Sequence, residues 1–204
     1  MLKIREPRRP FEDWVRVRGG RVTREQIEEF VRENGGGRVL HPRGSSWIVE
    51  RFADPAERRF LLGYDQRHLF AAQIPAGDTV PEAHESLKPS EVKAAEQRRP
   101  GSVIRQGEWF FAPTSREEVL EVRRHIARPG RLPGDGEPHF AEQLVSLPGE
   151  RDPETGWLRL RFYVRGTVHH RDHRTVCFDS WRRVHLNTAV RRRGQRARGF
   201  HWID

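Results

Sequence analysis

Three histidines and an aspartate lie close together in the C-terminal third of the chain, at His169, His170, Asp172 and His173, and His185 follows within one strand length. Imidazole and carboxylate groups at this spacing can bind a divalent metal ion or carry out acid–base chemistry on a phosphodiester. These five residues are therefore the catalytic candidates.

The sequence around these histidines contains no established metal-binding spacing. There is no HExxH motif and no paired CxxC motif, so we expect no metal site. If a metal were bound, His170, Asp172 and His173 would be its ligands. The chain also lacks GxxxxGK[ST] and GxGxxG, and we therefore expect no nucleotide cofactor.

Charge is distributed unevenly along the chain. Its 204 residues carry 38 Lys+Arg and 29 Asp+Glu, a formal net charge of +9. Residues 1–158 are balanced, with 26 basic and 26 acidic side chains, whereas residues 159–204 hold 12 arginines and three aspartates. A segment of this kind raises a potential of several kT and attracts phosphate-rich partners. The charge pattern therefore favours a nucleic acid, RNA or DNA, as the partner.

Residues 157–165 alternate with the period of a β-strand. One predicted face is apolar and contains Leu158, Leu160, Phe162 and Val164. The other face is expected to point to solvent and contains Trp157, Arg159, Arg161, Tyr163 and Arg165. Side chains on one face repeat at about 6.7 Å, which is comparable to the spacing of successive phosphates. Arginine can bind phosphate, and the aromatic rings can stack on unpaired bases.

The following predicted strand, Trp181–Asn187, extends this pattern. Val184 and Leu186 would point inward, and Arg183, His185 and Asn187 would point outward. The alternative is an ordinary solvated face whose arginines pair with acids from elsewhere in the chain.

The last 16 residues form an arginine-rich tail. Segments of this composition commonly stay disordered until they meet a polyanion. The predicted nucleic-acid contacts are therefore the strand residues Trp157, Arg159, Arg161, Tyr163, Arg165 and Arg183, together with Arg191, Arg192, Arg193, Arg196 and Arg198 of the tail.

The elements that position these residues indicate an α+β fold, with a mostly antiparallel sheet and two to four helices packed on it. Thr23 with Gln26, and Ser115 with Glu118, form two capping boxes that predict helix starts. Residues 1–20 suggest an N-terminal arm, 21–188 a single domain with a seam allowed at 127–138, and 189–204 the tail. The last strands are expected at Arg174–Asp179 and Trp181–Asn187.

These patterns lead to one preferred function and two alternatives. We expect a nucleic-acid-binding protein with no cofactor, and an enzyme only if the histidine cluster is catalytic. In that case it would be a phosphodiesterase or nuclease with a divalent metal ion. The second alternative is an assembly module that binds an acidic protein. The single cysteine, Cys177, and the absence of a signal sequence or long apolar run predict a cytoplasmic protein without membrane contact.

Overall fold

The computed structural model describes residues 23–33, 37–43, 46–51, 59–65, 68–133, 138–151, 156, 158–171 and 173–188. The chain divides into two compact units, one made of residues 1–87 with 188–204 and the other of residues 88–187. The segment 127–138, which the sequence marks as a seam, falls inside the second unit. The predicted arm at 1–20 and tail at 189–204 lie outside the described residues.

The described residues of the first unit form a four-stranded antiparallel sheet and two helices. Along the chain these are α1 (Arg24–Glu33), β1 (Gly37–Arg43), β2 (Ser46–Arg51), β3 (Arg59–Asp65), β4 (His68–Gln73) and α2 (Val80–Ser86). The strand order is β1-β2-β3-β4, so each strand pairs with its neighbour in sequence. Strand residues and α2 share one apolar core, formed by Leu61, Ala72, Ile74, Val80, Ala83 and Leu87.

Helix α1 begins at the capping box that the sequence predicts. The backbone N–H of Thr23 donates to Oε1 of Gln26 at 2.9 Å, and the N–H of Gln26 donates to Oγ1 of Thr23 at 3.4 Å. These bonds satisfy two of the backbone donors that a helix start leaves without an intrahelical acceptor. This prediction is confirmed.

In the second unit, the residues that the structure describes form a six-stranded antiparallel sheet and two further helices. Its elements are α3 (Ser90–Arg98), β5 (Ile104–Gln106), β6 (Trp109–Pro113), α4 (Arg116–Val122), β7 (Arg128–Arg131), β8 (Phe140–Arg151), β9 (Leu158–His169) and β10 (Val176–Leu186). The strand order is β5-β6-β10-β9-β8-β7. With four helices in the described part of the chain and every strand pair antiparallel, the α+β class is confirmed.

The six-stranded sheet buries side chains on both faces. One face carries the inner cluster, which consists of Trp109, Phe111, Leu132, Ala141, Val164, Val168, Phe178 and Val184. The other carries the helix-side cluster, which consists of Val122, Val145, Leu147, Tyr163 and Trp181. Adjacent residues of β9 therefore enter different cores, as the period of two requires.

Strand β10 is one strand where the sequence predicts two. Its pairing with β9 shifts register between Phe178 and Arg182. An irregularity of this kind bends a strand and increases its twist without ending it. The break that the sequence shows near Asp179 is therefore a bulge.

Side chains from β6 and from next to the start of β8 meet, although two strands lie between β6 and β8 in the sheet. The ring of Trp109, at the start of β6, lies edge-on to the ring of His139, next to the start of β8, with centroids 6.5 Å apart. These large side chains bring residues from both halves of the sheet to one place.

In the described part of the chain, every helix is too short and too polar to cross a membrane.

Candidate functional site

Tyr163 points into the protein. The expectation that it faces solvent is wrong, because its side chain is fully buried (0% exposed) in the helix-side cluster. Its hydroxyl donates a hydrogen bond to Oε1 of Glu118 at 3.0 Å and accepts one from Nη1 of Arg161 at 3.1 Å. Burial, followed by the nearby Glu118 carboxylate, raises the pKa of Tyr163 to about 12. The phenol is thus a neutral, structural hydrogen-bonding group.

Two of the strand arginines are paired with the same helix. Arg161 donates to Glu121 at 2.7 Å, and Arg183 donates to Glu118 at 3.3 Å. The hydrogen bond to Glu121 is the main cause that raises the pKa of Arg161. Acids from the charge-balanced part of the chain therefore neutralise part of the face that the sequence predicts to be an exposed basic surface.

Glu118 explains why α4 packs at this position. Its Oε2 accepts a hydrogen bond from the backbone N–H of Ser115, which closes the second predicted capping box. Its Oε1 accepts hydrogen bonds from Tyr163 and Arg183. Glu118, which closes the capping box of α4, therefore also attaches this helix to the sheet. The capping box is confirmed, and its tertiary contacts extend beyond what the local motif predicts.

The remaining strand residues have different surroundings. Arg165 donates to Oε1 of Gln143 at 2.9 Å and lies over the ring of Trp181, 5.2 Å from its centroid. Arg159 is exposed. On the predicted apolar face, Val164 is buried as expected, but Leu158 and Leu160 are 45% and 51% exposed. Both leucines lie within the first three residues of β9 and do not belong to the inner cluster.

His185 is buried, which contradicts its predicted outward position. Burial, followed by the neighbouring Arg183 charge, lowers the pKa of His185 to about 4, although Glu91 and Glu118 act in the opposite direction. The imidazole is therefore neutral at physiological pH. Asn187 is also buried, and its backbone N–H donates to the carbonyl of Glu108 at 2.9 Å.

Three histidines form a compact buried cluster in the second unit. His170 and His173, both catalytic candidates, lie with His139, and the three are only 1%, 7% and 1% exposed, respectively. The rings stack, with centroid separations of 4.2 Å for His139–His170, 4.6 Å for His170–His173 and 5.7 Å for His139–His173. One ring nitrogen from each histidine lies within 4.8 Å of the other two. We call these three residues the histidine triad.

The strand register explains how residues so far apart in sequence meet. Phe140 of β8 pairs with His169 of β9. One step further along this antiparallel ladder, His139 comes opposite His170. His173 follows in the short connection to β10, which returns beside β9 with Val176 opposite Val168. The backbone of His139 is fixed in turn, because its carbonyl accepts a hydrogen bond of 2.9 Å from Leu132.

A tight turn between β5 and β6 packs against the triad. Gln106 and Trp109 are paired, so Gly107 and Glu108 form the turn, and Gly107 has φ +58°. A Cβ at Gly107 would lie 2.8 Å from Nε2 of His173 and 3.5 Å from Cε1 of His139. Glycine is therefore required both for the backbone conformation and for the close approach.

The other candidates of the histidine segment are placed elsewhere. His169 is exposed, and its Nδ1 lies 3.3 Å from Oγ1 of Thr175. Asp172, Trp157 and the five tail arginines lie outside the described residues. The structure therefore brings His170 and His173 together but leaves His169 and His185 outside the triad.

His139 was missed at the level of sequence. It is 31 residues from His170 and stands alone in its segment, after the Pro/Gly-rich stretch. The signal that could have identified it is the pairing register of the two strands, which the sequence pattern leaves undetermined.

Comparisons with known proteins give no relative for this arrangement. No protein-family model matches the chain, and neither a curated protein nor a solved structure matches it.

Proposed function

We propose that this protein binds nucleic acid through its C-terminal basic segment. The observation that carries the proposal is the segregation of charge. Residues 159–204 have a formal net charge of +9, whereas the basic and acidic side chains of residues 1–158 cancel to a net charge of zero. Arg161 and Arg183 are offset by Glu121 and Glu118. The segment as a whole still holds 12 arginines against three aspartates, and this composition attracts phosphates.

The contact surface we propose differs from the strand face that the sequence suggests. Tyr163, Arg161 and Arg183 belong to the interface with α4, so we assign them to stability. We assign phosphate contact to the tail arginines, and to Arg159, Arg171 and Arg174, whose side chains are exposed in the described part of the segment. Arginine suits this role because its planar guanidinium group binds phosphate oxygens in pairs.

Burial makes hydrolysis of a phosphodiester the less favoured alternative. Of its candidate catalytic residues, His170, His173 and His185 are all less than 10% exposed. A general acid or base must come within hydrogen-bonding distance of the substrate. A binding function requires only the exposed charge.

The proposal is tested by deleting residues 189–204 and measuring affinity for single-stranded RNA and for duplex DNA against salt concentration. If the five tail arginines each neutralise one phosphate, the slope of log K against log salt on duplex DNA should become less negative by about 4.5. A variant with the five arginines changed to lysine is the matched control, since it keeps the charge and should keep most of the slope.

Two results would contradict the proposal. One is an unchanged slope after the deletion, and the other is the absence of binding to any polynucleotide at low ionic strength. Retention of an acidic protein in place of a polynucleotide, with a low 260/280 absorbance ratio after mild purification, would support the assembly alternative instead.

A further inference from the structure

We propose that the histidine triad, His139, His170 and His173, is a binding site for one divalent transition-metal ion, with Zn²⁺ as the ion that the ligand set fits. Two of the three histidines lie within residues 159–204, but the metal site rests on the positions of their imidazoles and does not depend on nucleic-acid binding. It also revises the sequence-level expectation of no metal site, which rested on the absence of an established spacing.

The first argument is the convergence of the ligand atoms. One ring nitrogen from each imidazole lies within 4.8 Å of the other two. Two nitrogens bound to the same tetrahedral Zn²⁺ are about 3.3 Å apart, given Zn–N bonds of 2.0–2.1 Å. Each pair of ligand atoms therefore has to close by at most about 1.5 Å, which rotation of the rings about χ1 and χ2 can supply.

The second argument is burial. Histidine is intermediate in its tendency to be buried. Here three imidazoles are 1–7% exposed and their ring centroids lie 4.2–5.7 Å apart, so one in-plane nitrogen of each ring could reach the same cation after a rotation of the side chains. Solvated surface histidines, by contrast, are separated from one another by water.

The third argument is the way the ligands are held. His139 and His170 are the residues next to Phe140–His169, the end pair of the β8–β9 ladder, and the connection that carries His173 is attached to β5 by the hydrogen bond from Nε2 of Gln106 to the carbonyl of Arg174, at 2.8 Å. Gly107 then approaches His173 so closely that only a glycine fits. Ligands directly next to paired strands are positioned more exactly than ligands on isolated loops.

The donor set defines the class of metal. Three imidazoles suit Zn²⁺, Cu²⁺, Ni²⁺ and Fe²⁺, whereas Ca²⁺ and Mg²⁺ prefer oxygen ligands. Three histidines with one further coordination position is a known zinc arrangement. The ion would connect the start of β8 to the β9–β10 connection and so stabilise the folded state of the second unit.

The test uses the full-length protein, stripped with a chelator and then reloaded with Zn²⁺ or Co²⁺. Elemental analysis after desalting should give about one zinc per chain, consistent with a single triad. Saturating Zn²⁺, at about 100 times its dissociation constant, should raise Tm by roughly 5–10 °C. Co²⁺ should give visible d–d bands that Zn²⁺ abolishes by displacement.

Matched variants locate the site. His139→Gln should weaken zinc affinity by more than the ~10–100-fold that loss of a group supporting a metal ligand costs. His169→Gln, next to the triad in sequence but exposed, should leave both affinity and stoichiometry unchanged. If His139→Gln does not fold, the stoichiometry and Co²⁺ spectrum of the unaltered protein still decide the question. Reloaded protein that retains no metal, or equal zinc affinity in the two variants, would overturn the proposal.

Discussion

The carboxylate of Glu118 accepts a hydrogen bond of 3.0 Å from the hydroxyl of Tyr163, which joins the first turn of α4 to the middle of β9. The same carboxylate caps the helix and accepts a hydrogen bond from Arg183. Because Tyr163 is fully buried, this contact makes one face of the six-stranded sheet a helix interface. The basic residues on that face are thereby committed to the fold.

Replacing Tyr163 with phenylalanine should destabilise the protein without changing its backbone. We expect a loss of about 1–3 kcal/mol, because Glu118 and Arg161 each lose a hydrogen-bond partner in a partly buried site. Urea unfolding measures the difference. Glu117→Gln is the control, since this exposed carboxylate on the same helix turn should change stability by less than about 0.5 kcal/mol. Equal midpoints for Tyr163→Phe and the unaltered protein would contradict the assignment.

His185 should make the protein less stable in mild acid. Its pKa is near 6.5 in the unfolded chain but about 4 in the folded protein. Between pH 4 and pH 6.5, the imidazole is therefore protonated in the unfolded state and neutral in the folded state. Its contribution to the free energy of unfolding should therefore be complete above pH 6.5 and fall by up to about 1.4 kcal/mol per pH unit toward pH 4. His185→Gln should flatten this slope relative to the unaltered protein. An imidazole of His185 that titrates near 6.5 by NMR would exclude the effect.

Gly107 and Gly101 offer a direct test of the contact with the triad. Both have positive φ, +58° and +73°, so alanine costs backbone strain at either position. Only at Gly107 would the new methyl group meet a histidine, at 2.8 Å from Nε2 of His173, while nothing lies within 4 Å at Gly101. Gly107→Ala should therefore lower zinc affinity by about 10-fold or more, and Gly101→Ala should not. Isothermal titration calorimetry compares them, and equal affinities would show that the turn does not position His173.

Arg161 and Arg159 should separate stability from nucleic-acid binding. They lie on the same face of β9, but Arg161 is partly buried in its ion pair with Glu121, whereas the side chain of Arg159 is exposed. Arg161→Ala should cost about 1 kcal/mol of stability and leave RNA affinity unchanged, because its ion pair is partly buried. Arg159→Ala should weaken RNA binding and make its salt slope less negative by about 0.7 on a single strand. If instead Arg161→Ala weakened RNA binding and Arg159→Ala lowered only stability, Arg161 would belong to the contact surface, as the sequence predicted.

Local features were predictable because they depend on residues that are close in sequence. The capping boxes at Thr23 and Ser115 were identified from spacing alone, since the hydrogen bonds of a helix start span three residues. The alternation along β9 was also predicted, and Tyr163 and Val164 do enter opposite faces. The pattern could not show that both faces are covered, because covering the second face depends on where α4 packs.

The sequence by itself determined the α+β class, the antiparallel strands, the two capped helices and the charge segregation, because period, caps and composition are local or additive properties of the chain. Only the tertiary structure decided that Glu118 and Glu121 neutralise two of the arginines, and that His139 joins His170 and His173. Both results depend on strand register and on where α4 packs, which arise from contacts between residues that are distant in the sequence. A pattern of residues that are close in sequence does not predict such long-range contacts.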